Sequence, residues 1–121
     1  RAVANLIQPN EVSRISLTID DRLNLHSATI AETLFRSVQE SLTNFRKHSH
    51  GGKASLCLAR NHNGFEFTYE DSEAVKEPIV WGNGLRGMQE RVNKLNGQMT
   101  VNAGPAGFQI SIEIPDVEHR I

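Results

Sequence analysis

The sequence has little cysteine and no long apolar run. Its single cysteine, Cys57, cannot form an internal disulfide, so covalent cross-links do not hold this fold together. Cys57 stands in the apolar run Leu56-Cys57-Leu58-Ala59, which favours a small core residue in a reducing compartment. No apolar stretch approaches the roughly 18 residues that a membrane-spanning helix needs. We therefore expect this fragment to make no direct contact with a membrane.

Net charge is also nearly absent. The 13 Lys and Arg residues oppose 14 Asp and Glu residues, which leaves a formal charge of −1. No overall field then draws the protein to nucleic acid or anionic lipid, so any binding must arise at a local site.

Repeats, low-complexity tracts and linkers are missing too, and 121 residues suit one compact domain over 1–121. The chain begins with Arg1 rather than Met and carries no signal peptide. We expect a piece of a longer cytoplasmic protein, or of the cytoplasmic part of a membrane-anchored one.

Hydrophobic periodicity and turn residues predict a mixed α/β chain. Three-and-four spacing of apolar residues is clearest from about Thr29 to His48, and Asn96-Gly97 is a natural helix end. The segment 71–84 has no period and predicts a loop that is mobile without ligand. The predicted helices cover 2–8, 29–48 and 85–95, and the predicted strands cover 14–20, 54–59, 65–69, 98–102 and 108–114.

The long predicted helix carries a polar face opposite its apolar stripe. Glu40, Asn44 and Lys47 fall within about 60° of each other at roughly 100° per residue, and His48 lies at the edge of the stripe. A carboxylate and an amide one turn apart offer hard oxygens to Mg²⁺, and Lys47 can meet phosphate charge. The alternative is an ordinary solvated helix face.

A glycine-rich segment, Gly82-Asn83-Gly84-Leu85-Arg86-Gly87, runs directly into the next predicted helix. Glycines let backbone N–H groups approach an anion, and a helix N-terminus favours negative charge, so the segment suits a phosphate. It also matches the G-x-G-x-x-G pattern of dinucleotide-binding folds. That fold requires a parallel crossover and an acidic residue about 20 positions later. The chain offers a hairpin around 103–107 instead, and a purely structural glycine loop is the other alternative.

Taken together, the two motifs resemble the GHKL ATPase superfamily, and most closely the sensor histidine kinases that partner LuxR-type response regulators. The first motif is Glu40-Ser41-Leu42-Thr43-Asn44-Phe45-Arg46-Lys47-His48, and the second is Gly82-Asn83-Gly84-Leu85-Arg86-Gly87-Met88-Gln89-Glu90-Arg91-Val92. The resemblance covers roughly residues 14–115.

The resemblance implies a Bergerat-type fold, a two-layer α/β (α+β) sandwich with a mixed, mostly antiparallel sheet backed by helices. It implies ATP and Mg²⁺ as cofactors, held between the long helix and a lid before the glycine segment. Asn44 would coordinate Mg²⁺, and Glu40 would be the catalytic residue that orients or polarises a group near the γ-phosphate. Lys47 and His48 would contact phosphates or ribose.

Further ATP-binding positions follow from the same resemblance. Gly82, Gly84, Leu85 and Gly87 would pack against the triphosphate, and Asp71 would accept a hydrogen bond from the adenine amino group.

Two departures from the family pattern lie near the expected adenine pocket. The family continues from this aspartate as x-Gly-x-Gly, but here Asp71 precedes Ser72-Glu73-Ala74-Val75. The family's later Gly-Thr is Gly107-Phe108 here. These changes predict weakened nucleotide binding.

The resemblance also implies a function. We expect the ATP-binding catalytic domain of a two-component sensor histidine kinase, which presents the γ-phosphate to a histidine on the parent's separate dimerisation domain. None of the five histidines has a recognisable phosphoacceptor context, so the fragment alone would not autophosphorylate. A LuxR-type response regulator would act downstream through the parent. The alternatives are a degenerate domain acting as a regulatory interaction module, and an anti-sigma-type serine kinase.

Overall fold

The structure is a computed structural model that describes residues 3–23, 25, 27–49, 52–73 and 82–116. Two short 3₁₀ turns, Val3–Leu6 and Pro9–Glu11, come before the first strand. The elements that follow are β1 (Ile15–Ile19), α1 (Ala28–His48), β2 (Ala54–Arg60), β3 (Gly64–Asp71), α2 (Asn83–Lys94), β4 (Gln98–Gly104) and β5 (Gly107–Pro115).

The five strands form one mixed sheet in the order β1-β2-β3-β5-β4. β1 pairs with β2 in parallel, and the other three pairings are antiparallel. A parallel pair needs a crossover connection, and α1 supplies it. The predicted mixed, mostly antiparallel sheet backed by helices is confirmed.

The hydrophobic core lies between one face of this sheet and the two helices. Alternate residues of β2, β3 and β5 are buried, as the period of a strand requires when one face is covered. Each fully buried large side chain contributes about 1.5–3 kcal/mol relative to exposure. The core side chains are Ile15, Ala54, Leu56, Leu58, Phe65, Phe67, Tyr69, Ile110, Ile112 and Ile114 from the strands, Ile30, Leu34, Val38, Leu42 and Phe45 from α1, and Leu85, Met88 and Val92 from α2.

α1 matches the predicted helix 29–48 to within one residue. Ser27 caps its start, because the Ser27 hydroxyl oxygen accepts a hydrogen bond from the Ile30 N–H at 3.3 Å. The buried face is wider than the apolar pattern predicts, since it also includes Thr33, Ser37 and Ser41. Ser37 satisfies its hydroxyl group by donating to the Thr33 carbonyl oxygen at 2.8 Å, which makes its burial tolerable.

The predicted short helix over 2–8 is present only in part, as a 3₁₀ helix. The segment forms a 3₁₀ turn that ends at Leu6, and Pro9 then opens a second turn instead of ending the first helix. Proline suits the first position of a helical turn, because its fixed φ fits there and its missing N–H is not needed.

α2 begins at Asn83, two residues earlier than predicted, so Gly84 lies inside the helix instead of in the preceding loop. Its end agrees with the prediction. Asn96 has a φ of 58°, and the Gly97 N–H donates to the Val92 carbonyl oxygen at 2.9 Å. This is a Schellman motif, which closes the helix with a left-handed residue.

Most of the predicted mobile loop 71–84 falls in residues 74–81, which lie outside the described residues. Within the described ranges, none of the helices is long and apolar enough to cross a membrane.

Candidate functional site

One side of α1 carries the four residues that the sequence marks. Glu40 and Asn44 are half-buried, while Lys47 and His48 are exposed. The four-residue spacing separates Glu40 from Asn44 by about 6 Å along the axis. In the part of the chain that the structure describes, no hydrogen bond or ion pair occupies the Glu40 carboxylate or the Asn44 amide. Both groups are therefore available to a ligand.

The Glu40 carboxylate packs against Gly84 in the first turn of α2. A Cβ added at Gly84 would overlap the Glu40 carboxylate. The two sequence motifs, far apart in the chain, therefore come into direct contact. Glycine at position 84 makes this approach possible.

The N-terminus of α2 presents free backbone donors beside Glu40. The first helical hydrogen bond runs from the Arg86 N–H to the Gly82 carbonyl oxygen at 3.1 Å. The N–H groups of residues 83–85 therefore have no partner within the helix, and Gly82 has no side chain to cap them. These donors and the helix dipole favour an anion at this end.

The other predicted residues of α2 have different surroundings. A Cβ at Gly82 would meet nothing within 4 Å, and one at Gly87 would only touch the Arg91 guanidinium group at 3.5 Å. Leu85 is 7% exposed and belongs to the core, so only its backbone N–H is open to a ligand. Of these three glycines, only Gly84 is in a position where an added Cβ would displace a neighbouring side chain, that of Glu40.

Asp71 ends β3 and is buried, with a carboxylate that accepts three hydrogen bonds from described residues. The Tyr69 hydroxyl group donates to Oδ2 at 3.0 Å. The Ser49 hydroxyl group donates to Oδ1 at 3.3 Å, and the Glu73 N–H donates to the same oxygen at 2.9 Å. Ser49 and Tyr69 belong to neither sequence motif, although the two-residue spacing of Tyr69 and Asp71 places both on one strand face.

Tyr69 is fixed in its position as a donor. Its side chain is fully buried, and its ring packs edge-to-face on Phe108 with centroids 6.0 Å apart. Burial raises the pKa of the Tyr69 hydroxyl group far above its usual value. The charge of Asp71 and its hydrogen bond to Tyr69 raise the pKa further by smaller amounts. The hydroxyl group stays protonated and donates.

Arg14 fixes the chain segment that follows α1. Its guanidinium group donates to the carbonyl oxygens of Gly52 at 3.1 Å and Ser49 at 3.3 Å, and it lies 4.7 Å from the Phe45 ring centroid. Ser49 is thereby held beside Asp71.

Glu73 brings a second carboxylate close to Asp71. A Cβ added at Gly52 would lie 3.3 Å from both Asp71 Oδ1 and Glu73 Oε2. The position at which the family has its first glycine after the aspartate therefore carries a negative charge here.

These groups line up along one side of α1. The free N-terminus of α2 meets Glu40 near the middle of the helix, Asn44 follows one turn later, and Ser49 reaches Asp71 beyond the end. Glu40 and Ser49 are separated by roughly 13 Å along the helix axis. The arrangement has unpaired backbone donors at one end and a buried carboxylate at the other.

A cavity of about 830 Å³ lies at one end of the sheet, between the start of β1 and the β4–β5 hairpin. Asp71 is on its wall, but Glu40 and Asn44 are not. We place the candidate site along α1 because the residues predicted to bind Mg²⁺ and phosphate are there.

Solved structures of histidine kinases share this fold. The histidine kinase domain from the Erythrobacter litoralis EL346 blue-light activated histidine kinase superposes with a TM-score of 0.78 at 20% identity, over 98% of this chain and 59% of that one. The catalytic domain of the histidine kinase ThkA gives a TM-score of 0.71 at 13% identity, over 93% of this chain and 86% of that one.

Curated relatives agree at the level of sequence, although no family model matches the chain. The sensor histidine kinase YxjM of Bacillus subtilis is 31% identical over 87 residues, which are 71% of this chain and 21% of YxjM. The histidine-protein kinase/phosphatase UhpB of Salmonella typhimurium is 31% identical over 106 residues, which are 86% of this chain and 21% of UhpB. The chain spans about a fifth of these relatives' length. It belongs to the sensor histidine kinase family and has the fold of their catalytic domains.

Proposed function

We propose that this chain binds ATP with Mg²⁺ and acts as the catalytic domain of a two-component sensor histidine kinase. It presents the γ-phosphate to a histidine on the separate dimerisation domain of its parent. The observation that carries the proposal is the contact between Glu40 and Gly84, which joins the two motif segments at a free helix N-terminus.

The described residues fit both cofactors. Mg²⁺ prefers a small number of protein oxygens together with water and phosphate oxygens, and Asn44 supplies one such oxygen that no internal hydrogen bond occupies. The unpaired N–H groups of residues 83–85 suit a polyphosphate. ATP would supply the transferable phosphoryl group, and Mg²⁺ would neutralise part of its charge.

The protein's own contribution is orientation and charge placement. Glu40 holds an acceptor oxygen next to the N-terminus of α2, where the helix dipole stabilises its charge. This position suits a group that orients the incoming histidine. Lys47 and His48 are exposed on the same side of α1, within reach of phosphate or ribose oxygens.

The partners follow from this role. The parent's dimerisation domain would supply the phosphoacceptor histidine, and a LuxR-type response regulator would receive the phosphoryl group through the parent. The reaction would take place in the cytoplasm, and the fragment alone would not autophosphorylate.

A second candidate function is a degenerate regulatory module with weak or no ATP binding. The observation that favours it is the Glu73 carboxylate beside Asp71, at the position of a family glycine. Its charge and bulk oppose close approach of a nucleotide.

Titration of the chain with Mg-ATP in a calorimeter separates the two candidates. We expect the parent chain to bind and Asn44→Ala to lose Mg²⁺-dependent binding, with the same thermal unfolding midpoint as the parent. Gln39→Ala is the matched control, because Gln39 is exposed on the same helix but is not part of the polar face that carries Glu40 and Asn44. Normal binding by Asn44→Ala would remove the metal role of Asn44. A parent chain that binds no Mg-ATP would favour the regulatory module.

A further inference from the structure

We infer that Ser49 and Tyr69 determine base specificity at the proposed nucleotide site. Their hydroxyl groups donate hydrogen bonds to Asp71 and, together with the Glu73 N–H, leave one acceptor position for the base. The inference rests on the proposed ATP binding, and on the family resemblance for Asp71 as the residue that accepts from the adenine amino group.

The carboxylate of Asp71 has a limited number of acceptor positions. Two oxygens with two lone pairs each accept about four hydrogen bonds. Among the described residues, Ser49 and Glu73 use both positions on Oδ1, and Tyr69 uses one position on Oδ2. One position on Oδ2 is left for a ligand.

The two hydroxyl donors are held in place by their surroundings. Tyr69 is fully buried and packed on Phe108, and Ser49 is 7% exposed with its carbonyl oxygen bound by Arg14. Both hydroxyl groups are therefore largely shielded from water that could compete for them.

A single acceptor position discriminates between the purine bases. Adenine offers one amino donor beside a ring nitrogen that only accepts, so one position satisfies it. Guanine offers two adjacent donors, a ring N–H and an amino group, which need an acceptor on each carboxylate oxygen. At Asp71 one of them would remain unpaired and desolvated, which is costly.

The chain has Gly107-Phe108 where the family has Gly-Thr, so the threonine hydroxyl group is missing at that position. Phe108 lies directly opposite Asp71 in the β3–β5 pairing, and it brings no hydroxyl group to that position. The hydroxyl donors come instead from Tyr69 on the same strand and from Ser49 beyond the end of α1.

Calorimetric titrations with Mg-ATP and Mg-GTP test this inference in the parent chain and in Ser49→Ala. Removal of the Ser49 hydroxyl group frees a position on Oδ1, so both oxygens can then accept from guanine. We expect GTP affinity to rise relative to ATP affinity by about tenfold, the size of one hydrogen bond to a charged group. Ser37→Ala is the matched control, because Ser37 is also buried and hydrogen-bonded but does not touch Asp71.

Tyr69→Phe is the second variant. It frees a second position on Oδ2 only, so we expect a shift toward GTP that is smaller than in Ser49→Ala. A gain in GTP binding cannot result from structural damage, since damage lowers the affinity for both nucleotides.

The outcomes separate the inference from the proposed function. If the parent chain binds ATP and both variants keep its ATP-to-GTP ratio, the inference is overturned and the proposed function stands. If the parent chain binds neither nucleotide, the proposed function fails and the inference fails with it. In that case a double-mutant cycle of Tyr69→Phe with Asp71→Asn, followed by urea unfolding, would measure what the Tyr69–Asp71 hydrogen bond contributes to stability alone.

Discussion

At the scale of single residues, the Glu40 carboxylate occupies the space that a side chain at position 84 would fill. Alanine in a helix is favoured over glycine by about 1 kcal/mol, but a Cβ at this position overlaps Glu40. We expect Gly84→Ala to raise the free energy of unfolding when Glu40 has been replaced by alanine. In the parent, where Glu40 is present, the gain should be smaller by about 0.5–1 kcal/mol. Denaturant unfolding of the four proteins measures the difference. Equal gains in both backgrounds would show that Glu40 does not constrain position 84.

The buried pair of Glu11 and Arg46 is the second residue-scale feature. Glu11 is 5% exposed, and the Arg46 guanidinium group donates to both of its carboxylate oxygens at 2.8 Å. Arg46 also donates to the Leu6 carbonyl oxygen at 2.7 Å. One side chain of α1 thereby holds both N-terminal 3₁₀ turns.

This pair predicts a stability that depends on pH. The hydrogen bond from Arg46 lowers the pKa of Glu11 below 4.5, against the opposing effect of burial. The contribution of Glu11 is therefore complete above about pH 4.5 and is lost as the pH falls through the lowered value in the folded protein. We expect Glu11→Gln to be less stable than the parent by about 1–2 kcal/mol at pH 7.

Urea unfolding at pH 7 and below pH 4 measures this effect, and the gap between Glu11→Gln and the parent should shrink at the lower pH. Glu90→Gln serves as the control, because Glu90 is exposed on α2. A gap that is constant with pH would contradict the role of the ionised Glu11.

At the scale of elements, local patterns predict every strand and both α-helices of the described ranges, because apolar periodicity and turn residues act locally. The N-terminal segment differs from its prediction in forming two short 3₁₀ turns, which contact Arg46 far along the chain. The start of α2 was placed two residues late because glycines look like a loop until a neighbour such as Glu40 is known.

The C-terminal cap of α2 gives a prediction at this scale. Asn96 has a φ of 58°, a conformation that costs residues with a Cβ about 1–2 kcal/mol, less for asparagine and nothing for glycine. We expect Asn96→Ala to lower the free energy of unfolding by about 1 kcal/mol, and Asn96→Gly to leave it unchanged or slightly higher. Thermal or urea unfolding measures both variants. Equal stability of the two would show that the cap conformation carries no strain.

At the scale of the whole molecule, the motifs predicted which residues meet but not what surrounds them. The contact of Glu40 with the glycine segment follows from two recognisable motifs. The hydrogen bond from Ser49 to Asp71 does not, because Ser49 lies 22 residues earlier in the chain and no local pattern records such a meeting. The surroundings of the proposed site thus depend on tertiary structure.

Nucleotide binding should appear in the stability of the entire fold. A ligand that binds only the folded state adds about 2.7 kcal/mol at a hundredfold excess over its Kd. Because Glu73 adds charge beside Asp71, we expect the parent chain to bind Mg-ATP weakly and to need high concentrations for a rise in Tm. The Glu73→Gly, Val75→Gly variant should reach the same rise at lower concentrations, although Val75 lies outside the described residues. Tight binding by the parent, with no gain in the variant, would contradict this expectation.

The parallel pairing of β1 with β2 has a consequence for synthesis on the ribosome. Ile15 pairs with Ala54, and all of α1 lies between them in the chain. β1 is synthesised first, and β2 is its only partner in the described sheet. β1 therefore has no strand to pair with until α1 and β2 have been made. At about 5–20 residues per second this delay is on the order of a few seconds. The hairpin of β2 and β3 closes over a short turn soon after it emerges, so β1 waits longer for its first partner than any other strand of the described sheet.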